Sequence, residues 1–302
     1  MARSIFNHSR NSDTKLKFEK VNFRMSQIVT SKNLKEKRNG KLELPSLSSN
    51  DPRLEAICEY WNAHIHDLAI AKHPVGTKGF FADLDEYRFD KLRYLPNVVD
   101  FNAYRGKKIL EIGCGVGIDL IRFAKGSAHV TGVDLAQQSI QLAKKNFELN
   151  GLKADLRLMN GEALEFANNS FDMVYAHGVL QYTANADKMA KEMYRVLKPG
   201  GEAIAMVYNR NSWLNALSQV MKVELEHEDA PVLKKYSIGE FKRLLSPFST
   251  VRLVPERFPV ASRLQQGWKA MAFNRIFVPA FNLIPRFIVR PLGWHLMAFC
   301  RK

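Results

Sequence analysis

The sequence predicts an α/β protein built on a mainly parallel sheet, and three observations support this fold class. Short apolar segments alternate with helical patterns between residues 105 and 254, as crossover connections between parallel strands require. Gly113, Gly115 and Gly117 follow the first apolar run and allow a tight turn in which the backbone can approach a ligand. Asp134 ends the second run, about 20 residues beyond the first glycine, where a carboxylate can bind ribose hydroxyls.

Two helices are expected ahead of the sheet. The Asp-Pro pair at 51–52 is typical of a helix start, and the first helix is predicted to extend to about residue 72. The second helix is predicted to begin with Asp83 as its N-cap, because Glu86 completes a capping box. It is expected to stop before Pro96, since a proline inside a helix removes a backbone hydrogen bond.

The core segments follow in order along the chain. Strands are predicted near 108–112, 129–133, 154–159, 171–176 and 202–208, and helices near 117–125, 136–150, 185–197 and 237–245. The breakers Lys198-Pro199-Gly200-Gly201 predict a turn before the fifth strand. A sixth strand is expected near 249–254, and the short apolar segment 294–300 can supply a seventh. Residues 255–292 are too many for a simple hairpin and are interpreted as an insertion.

The glycine spacing narrows the kind of ligand that the first turn can bind. It is G-x-G-x-G rather than the G-x-G-x-x-G of dinucleotide-binding turns, and Gly117 is followed by Ile118-Asp119 with no basic residue. A compact zwitterion attached to a ribose therefore fits this turn better than a pyrophosphate does. A strand-helix turn without a ligand is the structural alternative, and Asp134 counts against it.

Five linked motifs occur in the order EIGCGVG, VTGVD, NGEALEF, FDMVYAHGVLQY and EMYRVLKPGGEAIAMVY. Over residues 105–210 they resemble the class I S-adenosylmethionine-dependent methyltransferases, in particular the branch of ubiquinone, menaquinone and sterol C-methyltransferases. The resemblance implies a Rossmann-like, seven-stranded, mostly parallel sheet with helices on both faces and an antiparallel last strand. It also implies that S-adenosyl-L-methionine is the cofactor and that an N-terminal helical cover lies over the active site.

The resemblance also implies roles for residues around the cofactor. The implied contacts are Glu111, Gly113, Cys114, Gly115 and Gly117 along the methionine part, Asp134 on the ribose hydroxyls, Leu135 against the adenine, and Gly161, Glu162 and Ala163 over the adenine edge. Family members often carry Asp where Glu162 stands. His177 is expected where the loop after the fourth strand passes the sulfonium.

Candidate catalytic residues follow the carboxyl ends of the strands or belong to the helical cover. His177 is the candidate general base or hydrogen-bond partner of the acceptor, and the alternative is a histidine that holds its own loop. Tyr208 is expected to face the acceptor after the fifth strand. Tyr60 and His64, with the tryptophan between them, are expected to line the roof of the site.

No metal ion is expected at this site. His64, His66 and Asp67 invite a metal interpretation, but helical residues two positions apart point about 200° apart. His64 and Asp67 can share a face, yet two protein ligands are too few for a zinc site. The three cysteines are widely spaced, fit neither a disulfide nor a metal framework, and indicate a reducing cytoplasm.

The net charge of +15 is concentrated at the two ends of the chain. Residues 1–50 hold 11 Lys/Arg and 4 Asp/Glu, and residues 232–302 hold 13 and 2, whereas residues 51–231 hold 21 and 24. This distribution argues against a nucleic-acid-binding core and favours an anionic membrane surface or an anionic substrate. Residues 1–50 lack sustained periodicity and an apolar signal segment, and they are predicted to be disordered.

Four parts are therefore expected, namely a basic extension at 1–50, a helical cover at 51–104, a methyltransferase core at 105–254, and the insertion with the final strand at 255–302. The insertion combines arginines with phenylalanines, which suits a membrane-facing segment or a lid over a lipophilic substrate. A helical cap packed on the core is the alternative. The favoured function is carbon methylation of an isoprenoid acceptor, either a prenyl diphosphate or a quinone-like molecule. The alternatives are O- or N-methylation of a secondary metabolite and methylation of nucleic acid.

Overall fold

The computed structural model describes residues 51–65, 68–222, 225–261 and 268–302. The prediction of disorder for residues 1–50 and the metal question at His66 and Asp67 lie outside the described residues. Within the four described ranges, no helix is both long enough and apolar enough to cross a membrane.

A seven-stranded sheet forms the centre of the molecule. Its strands are β1 Lys108–Ile112, β2 His129–Asp134, β3 Asp155–Leu158, β4 Phe171–His177, β5 Leu197–Tyr208, β6 Thr250–Glu256 and β7 His295–Arg301. They lie in the order β3-β2-β1-β4-β5-β7-β6. The pairs from β3 through β5 are parallel, whereas β7 runs antiparallel to both β5 and β6. The predicted mostly parallel sheet with an antiparallel last strand is therefore confirmed.

Successive residues of the central strands fill two cores, one on each face of the sheet. Ile109 pairs with Met173 across β1 and β4, and both side chains belong to one core. The next pair, Leu110 with Val174, belongs to the other core. All four side chains are fully buried, and each contributes about 1.5–3 kcal/mol by leaving water. Strands covered on both faces must be apolar throughout, which explains the continuous apolar runs in the sequence.

Helices cover both faces of the sheet and its carboxyl-end edge. They are α1 Pro52–Ala63, α2 Lys78–Lys91, α3 Leu95–Val98, α4 Ile118–Lys125, α5 Gln137–Leu149, α6 Ala186–Val196, α7 Trp213–Met221 and α8 Ile238–Leu244. No sequence pattern predicted α7. Asp51 caps α1 as predicted, since its side chain accepts a hydrogen bond from the backbone N–H of Arg53 at 3.0 Å.

The predicted boundaries of the two cover helices are wrong. The first helix ends at Ala63 rather than near residue 72, and a short 3₁₀ turn follows at Leu68–Ile70. The second helix is capped by Thr77 rather than by Asp83. Asp83 instead lies inside α2 and accepts hydrogen bonds from the backbone N–H groups of residues 72 and 73 at 2.6 and 2.9 Å. Its carboxylate thus holds the loop between the two helices instead of starting a helix.

The breaker cluster at 198–201 lies within β5 rather than before it, because β5 begins at Leu197 instead of near residue 202. Leu197 pairs with Phe171 and Glu202 pairs with Met173, which leaves four residues of β5 opposite a single residue of β4. A glycine within the cluster has φ of +74°, which a residue with a side chain rarely adopts. The predicted turn is therefore present as a four-residue interruption of the pairing with β4, and the strand continues beyond it.

The insertion between β6 and β7 folds as a series of short helical segments. These are α9 Trp268–Ala272, a π-helical turn Phe273–Phe277, α10 Val278–Leu283, α11 Arg286–Val289 and a 3₁₀ turn Arg290–Leu292. Phe273, Phe277 and Phe281 pack beside Trp213 of α7, with ring centroids 5.9–6.2 Å from the indole. One side of the insertion therefore packs on the domain.

Candidate active site

A cavity opens at the carboxyl ends of β1, β2, β4 and β5, beneath the helical segments that precede the sheet. Most of the predicted cofactor-binding residues line it, namely Glu111, Gly113, Cys114, Gly115, Asp134, Leu135, Gly161 and His177. Two predicted catalytic residues, His64 and Tyr208, line it as well. Parallel strands bring these residues together because their carboxyl ends meet at one edge of the sheet.

The glycine loop after β1 forms one wall of the cavity. Gly113, Gly115 and Gly117 have φ of +68°, +51° and +80°, a left-handed conformation that is costly for residues with a Cβ. A Cβ on Gly113 would lie 2.4 Å from a methyl carbon of Val179. A Cβ on Gly115 would meet no described atom within 4 Å, so at this position the backbone faces open cavity. The space that a side chain would occupy there is available to a ligand.

The carboxylate of Asp134 is held in a fixed orientation at the end of β2. Its Oδ2 accepts a hydrogen bond from the backbone N–H of Gly115, and its Oδ1 accepts one from Ala136, both at 2.8 Å. Burial raises the pKa of Asp134, and these backbone N–H groups partly oppose that rise. Each oxygen keeps a further lone pair. The geometry is compatible with the predicted ribose contact.

Glu111 is a buried carboxylate at the end of β1. The residue is 5% exposed, and one of its carboxylate oxygens has no hydrogen-bond partner among the described residues. Burial raises its pKa well above the usual range, and the nearby negative charge of Asp119 adds to the rise. An unpaired acidic oxygen in a cavity wall fits a cationic group such as an amino-acid ammonium, so this wall suits the methionine part of S-adenosylmethionine.

Four of the predicted site residues do not line the cavity. They are Tyr60, Gly117, Glu162 and Ala163. Glu162 is buried and accepts hydrogen bonds from the Thr183 hydroxyl and from the backbone N–H of Asn185 at 2.9 Å. Its carboxylate therefore anchors the loop after β4. Nearby, Gly161 and Asn160 do line the cavity.

Tyr60 contacts a loop rather than the cavity. Its hydroxyl donates to Asp229 at 2.7 Å and lies 3.1 Å from Nδ1 of His227. Its ring stacks on the ring of His64, with centroids 4.2 Å apart. In the same loop, Glu226 lines the cavity and forms an ion pair with Lys91 at 2.7 Å. Residues 225–230, here called the flap, thus join the two cover helices over one side of the cavity.

His177 belongs to a buried polar network. The Arg88 guanidinium donates to Asp119 through both Nε and Nη2, and Asp119 also accepts from the Tyr175 hydroxyl at 2.9 Å. Nη2 of Arg88 also lies 3.3 Å from Nδ1 of His177. On the other side of the ring, Nε2 of His177 lies 3.2 Å from the hydroxyl oxygen of Tyr94.

These contacts determine the protonation of His177. A guanidinium can only donate, so Nδ1 of His177 accepts and the ring proton sits on Nε2, which donates to Tyr94. Burial and the Arg88 charge lower the pKa of His177 to about 3. At neutral pH the ring is therefore uncharged, and both of its nitrogens are already occupied. This arrangement suits a positioning role better than proton abstraction.

The network continues to the base of the insertion. Tyr94 Oη lies 2.6 Å from Nδ1 of His295, and Nη1 of Arg257 lies 3.1 Å from Nε2 of the same ring. His177, His295 and Arg257 line the cavity, whereas Tyr94 joins the two histidines from behind. Arg88, Tyr94 and His295 were not predicted as site residues. No local spacing signal links them, since His295 follows Tyr94 by 201 positions.

No metal cluster is found in the part of the chain that the structure describes. Among those residues, no group of three or more His, Cys, Asp or Glu side chains lies close enough together to hold a metal ion.

The fold and the site together define a methyltransferase class, and comparisons with known proteins agree. The methyltransferase domain family matches residues 109–201. The ubiquinone biosynthesis O-methyltransferase of Idiomarina loihiensis is 34% identical over 149 residues, 48% of this chain and 60% of that protein. The same enzyme of Cereibacter sphaeroides is 32% identical over 178 residues, 56% of this chain and 68% of that protein. The chain belongs to the class I S-adenosylmethionine-dependent methyltransferases, in the branch that acts on small molecules, and its cofactor is S-adenosyl-L-methionine.

Further relatives show how widely this domain is used. The sterol 4-C-methyltransferase strm-1 of Caenorhabditis elegans is 35% identical over 181 residues, 59% of this chain and 52% of that protein. The solved geranyl diphosphate C-methyltransferase of Streptomyces coelicolor A3(2) shares the fold, with a TM-score of 0.52 and 15% identity over 84% of this chain and 98% of that one. The chain thus spans about half to two thirds of the curated relatives named here.

Proposed function

We propose that the protein methylates a lipophilic small molecule, and that the acceptor is an isoprenoid, either a prenyl diphosphate or a quinone-like compound. The observation that carries the proposal is an aromatic wall in the cavity, formed by Trp61, Tyr182 and Tyr208. The Trp61 and Tyr182 rings meet edge to face with centroids 5.1 Å apart, and Tyr182 meets Tyr208 at 6.0 Å. Such a wall contacts apolar chains or rings over a large area.

The cofactor would lie on the other side of the cavity. Glu111 would hold the ammonium group, the backbone at Gly115 would pass close to the methionine part, and Asp134 would bind the ribose hydroxyls. S-adenosylmethionine then supplies an electrophilic methyl group on a sulfonium. The remaining tasks of this chain are to align the acceptor with that methyl group and to exclude water. We propose that the helical cover, residues 51–104, serves these tasks together with the flap.

The state of His177 favours a carbon acceptor. A hydroxyl acceptor gains from a nearby base, whereas the π electrons of an alkene attack the methyl group without prior loss of a proton. His177 is held neutral with both nitrogens engaged, so it is a poor base. Methylation of an alkene produces a carbocation, which aromatic faces such as those of Trp61 and Tyr208 stabilise until an adjacent carbon gives its proton to a base, for which the cavity wall offers the Glu226 carboxylate. We therefore propose carbon methylation.

Oxygen methylation is the second candidate. The relatives from Idiomarina loihiensis and Cereibacter sphaeroides are named as O-methyltransferases of ubiquinone biosynthesis. An acidic phenol can ionise in solution before it binds, and it would then need no base from the protein. The lipophilic tail of such an acceptor would use the same aromatic wall.

Product analysis tests the two candidates. The purified protein is incubated with methyl-labelled S-adenosylmethionine and separate pools of prenyl diphosphates, prenylated phenols, short polar phenols and tRNA. Asp134→Ala, which should lose the cofactor, is the control for background transfer. Label on carbon in the prenyl pools supports the proposal, and label on oxygen in the prenylated phenols supports the second candidate. Equal labelling of short polar phenols, or label only in tRNA, would contradict both.

We also propose that the insertion contacts an anionic membrane surface from which such an acceptor is drawn. The exposed large apolar side chains of the described residues all lie between positions 220 and 292. The most exposed in the insertion are Trp268 at 72%, Ile276 at 70%, Leu283 at 84% and Phe287 at 78%. From residue 257 to the end, the sequence has no Asp or Glu. An apolar face within a basic segment is typical of interfacial membrane contact.

Vesicle binding tests the membrane contact. Phosphatidylcholine vesicles with and without phosphatidylglycerol are sedimented with the wild type and with Arg275→Glu/Arg286→Glu, which should weaken binding to the anionic vesicles at least tenfold. Lys144→Glu/Lys153→Glu makes the same charge change near β3, at the opposite edge of the sheet from β6, and should bind as the wild type does. Equal loss in both variants would indicate general electrostatics and contradict a specific face. Self-association through the insertion without vesicle binding would indicate a dimer interface instead.

A further inference from the structure

Arg257 is the cavity-lining cation for which the described residues supply no carboxylate partner. The other two lining Lys or Arg side chains, Arg88 and Lys91, are each paired with a carboxylate. Arg257 instead contacts the ring of His295, at 3.1 Å between Nη1 and Nε2. That ring is neutral, because burial and the surrounding cations lower its pKa well below the usual range. The positive charge of Arg257 is therefore uncompensated by these neighbours.

The backbone at Arg257 is held in a costly conformation. Its φ is +59°, in the left-handed region that residues with a Cβ rarely adopt, and it directly follows the end of β6. Its carbonyl accepts a hydrogen bond from the Trp213 indole N–H at 2.9 Å, and Trp213 is itself packed against the phenylalanines of the insertion. Strain of this kind persists where the surroundings enforce it, and it is concentrated at functional sites. Here the enforced turn sets a guanidinium into the cavity wall.

Arg257 is also close to the aromatic wall. His295, its contact, stacks on the ring of Tyr208 with centroids 5.7 Å apart. A molecule that lies against Tyr208 can therefore place one end near the guanidinium. The five N–H groups of a guanidinium form a planar fork that matches the two oxygens of a carboxylate or phosphate.

We propose that Arg257 binds an anionic group of the methyl acceptor, either a carboxylate or a phosphate. This inference rests on the proposed function and deepens it. The acceptor then has a lipophilic body against Trp61, Tyr182 and Tyr208 and one acidic end at Arg257. Arg257 belongs to the insertion and contacts His295. An acceptor bound at Arg257 therefore also contacts the base of the insertion.

Three probes that share one lipophilic body test this inference, namely farnesyl phosphate, farnesoic acid and farnesol. Their affinities are measured by calorimetry with the full chain saturated with S-adenosylhomocysteine. The wild type should bind at least one of the two anions about ten- to a hundredfold more tightly than farnesol. Arg257→Gln should abolish that preference and leave the farnesol affinity unchanged. Arg257→Lys, which keeps the charge but loses the fork, should retain part of it.

The control is Arg252→Gln, which removes the same charge from an exposed position on β6 outside the cavity wall and should keep the preference. Equal affinity of the wild type for all three probes would overturn the inference. An equal loss of all three in Arg257→Gln would also overturn it, because Arg257 would then act only through the fold. The anion that binds more tightly identifies the acidic end as phosphate or carboxylate.

The two proposals can fail separately. If the preference for anions depends on Arg257 but methyl transfer to every prenyl acceptor is absent, the anion site stands and the proposed function fails. If farnesol is bound and methylated as well as either anion, the proposed function stands and the anion site fails.

Discussion

A side chain added at each of two glycines in the β1 loop should separate cofactor binding from stability. Gly113→Ala meets Val179 at 2.4 Å and also carries the strain of φ +68°. The strain costs about 1–2 kcal/mol and the overpacking about 1–3 kcal/mol, so the free energy of unfolding should fall by about 2–5 kcal/mol. Gly115→Ala carries only the strain of φ +51°, about 1–2 kcal/mol, because its Cβ meets no described atom.

Cofactor affinity should fall more in Gly115→Ala than in Gly113→Ala, the opposite of the order for stability. The methyl group of Gly115→Ala projects into the cavity, so the affinity for S-adenosylhomocysteine should fall at least tenfold in calorimetry, which is about 1.4 kcal/mol. Urea unfolding gives the stability of the same variants. Val179→Ala should rescue part of the stability lost in Gly113→Ala, because it removes the clashing methyl groups, and it should not rescue binding in Gly115→Ala. Wild-type affinity in Gly115→Ala would refute the reasoning.

Three further predictions follow from the buried network and the flap. Asp119→Asn should lower the free energy of unfolding in urea by about 3–5 kcal/mol, because the Asp119 side chain is 1% exposed and its replacement leaves the Arg88 charge unpaired. The double variant Arg88→Met/Asp119→Leu should lose less stability, and equal losses in the two variants would contradict this explanation. The pKa of His177 is about 3 in the folded protein and near 6.5 in the unfolded chain, so the unfolded state binds more protons between these pH values. Stability should therefore fall as the pH drops from 6.5 towards 3, by at most about 1.4 kcal/mol per pH unit. His177→Gln should remove this contribution, and an unchanged slope of unfolding free energy against pH would argue against a neutral ring. Tyr60→Phe removes the hydroxyl that donates a hydrogen bond to Asp229, and it should raise KM for the acceptor severalfold with little change in Tm. An unchanged KM would show that this contact with the flap does not affect acceptor binding.

The central part of the fold could be predicted because its signals are local. The central strands contain short apolar runs, and the glycine loop and Asp134 lie within one strand-helix-strand unit. The antiparallel last strand came from the family resemblance, since periodicity does not give strand direction. The cover helices were harder, because Asp83 and Glu86 form a valid capping pattern that the tertiary structure does not use. In the folded protein Asp83 instead accepts hydrogen bonds from backbone N–H groups of the preceding loop.

The polar interior of the site could not be predicted in the same way. Tyr94, His177 and His295 come from the connection between α2 and α3, the fourth strand and the last strand, and only the folded protein places them within hydrogen-bond distance. His177 was identified as a candidate base because it follows the predicted fourth strand, and it is the last residue of β4. Its low pKa depends on burial and on Arg88, whose place beside Asp119 follows from the packing of α2 against α4. Tertiary contacts therefore decide the chemistry of that residue.

A crystal structure of the protein with S-adenosylhomocysteine tests the central claim most directly. The account predicts the ribose hydroxyls within hydrogen-bond distance of Asp134, the amino group facing Glu111, and the methionine part along the backbone of Gly113 and Gly115. The sulfur should point towards the aromatic wall. A cofactor bound elsewhere, or a cavity that remains empty at saturating concentration, would contradict the assignment of this cavity as the methyltransferase site.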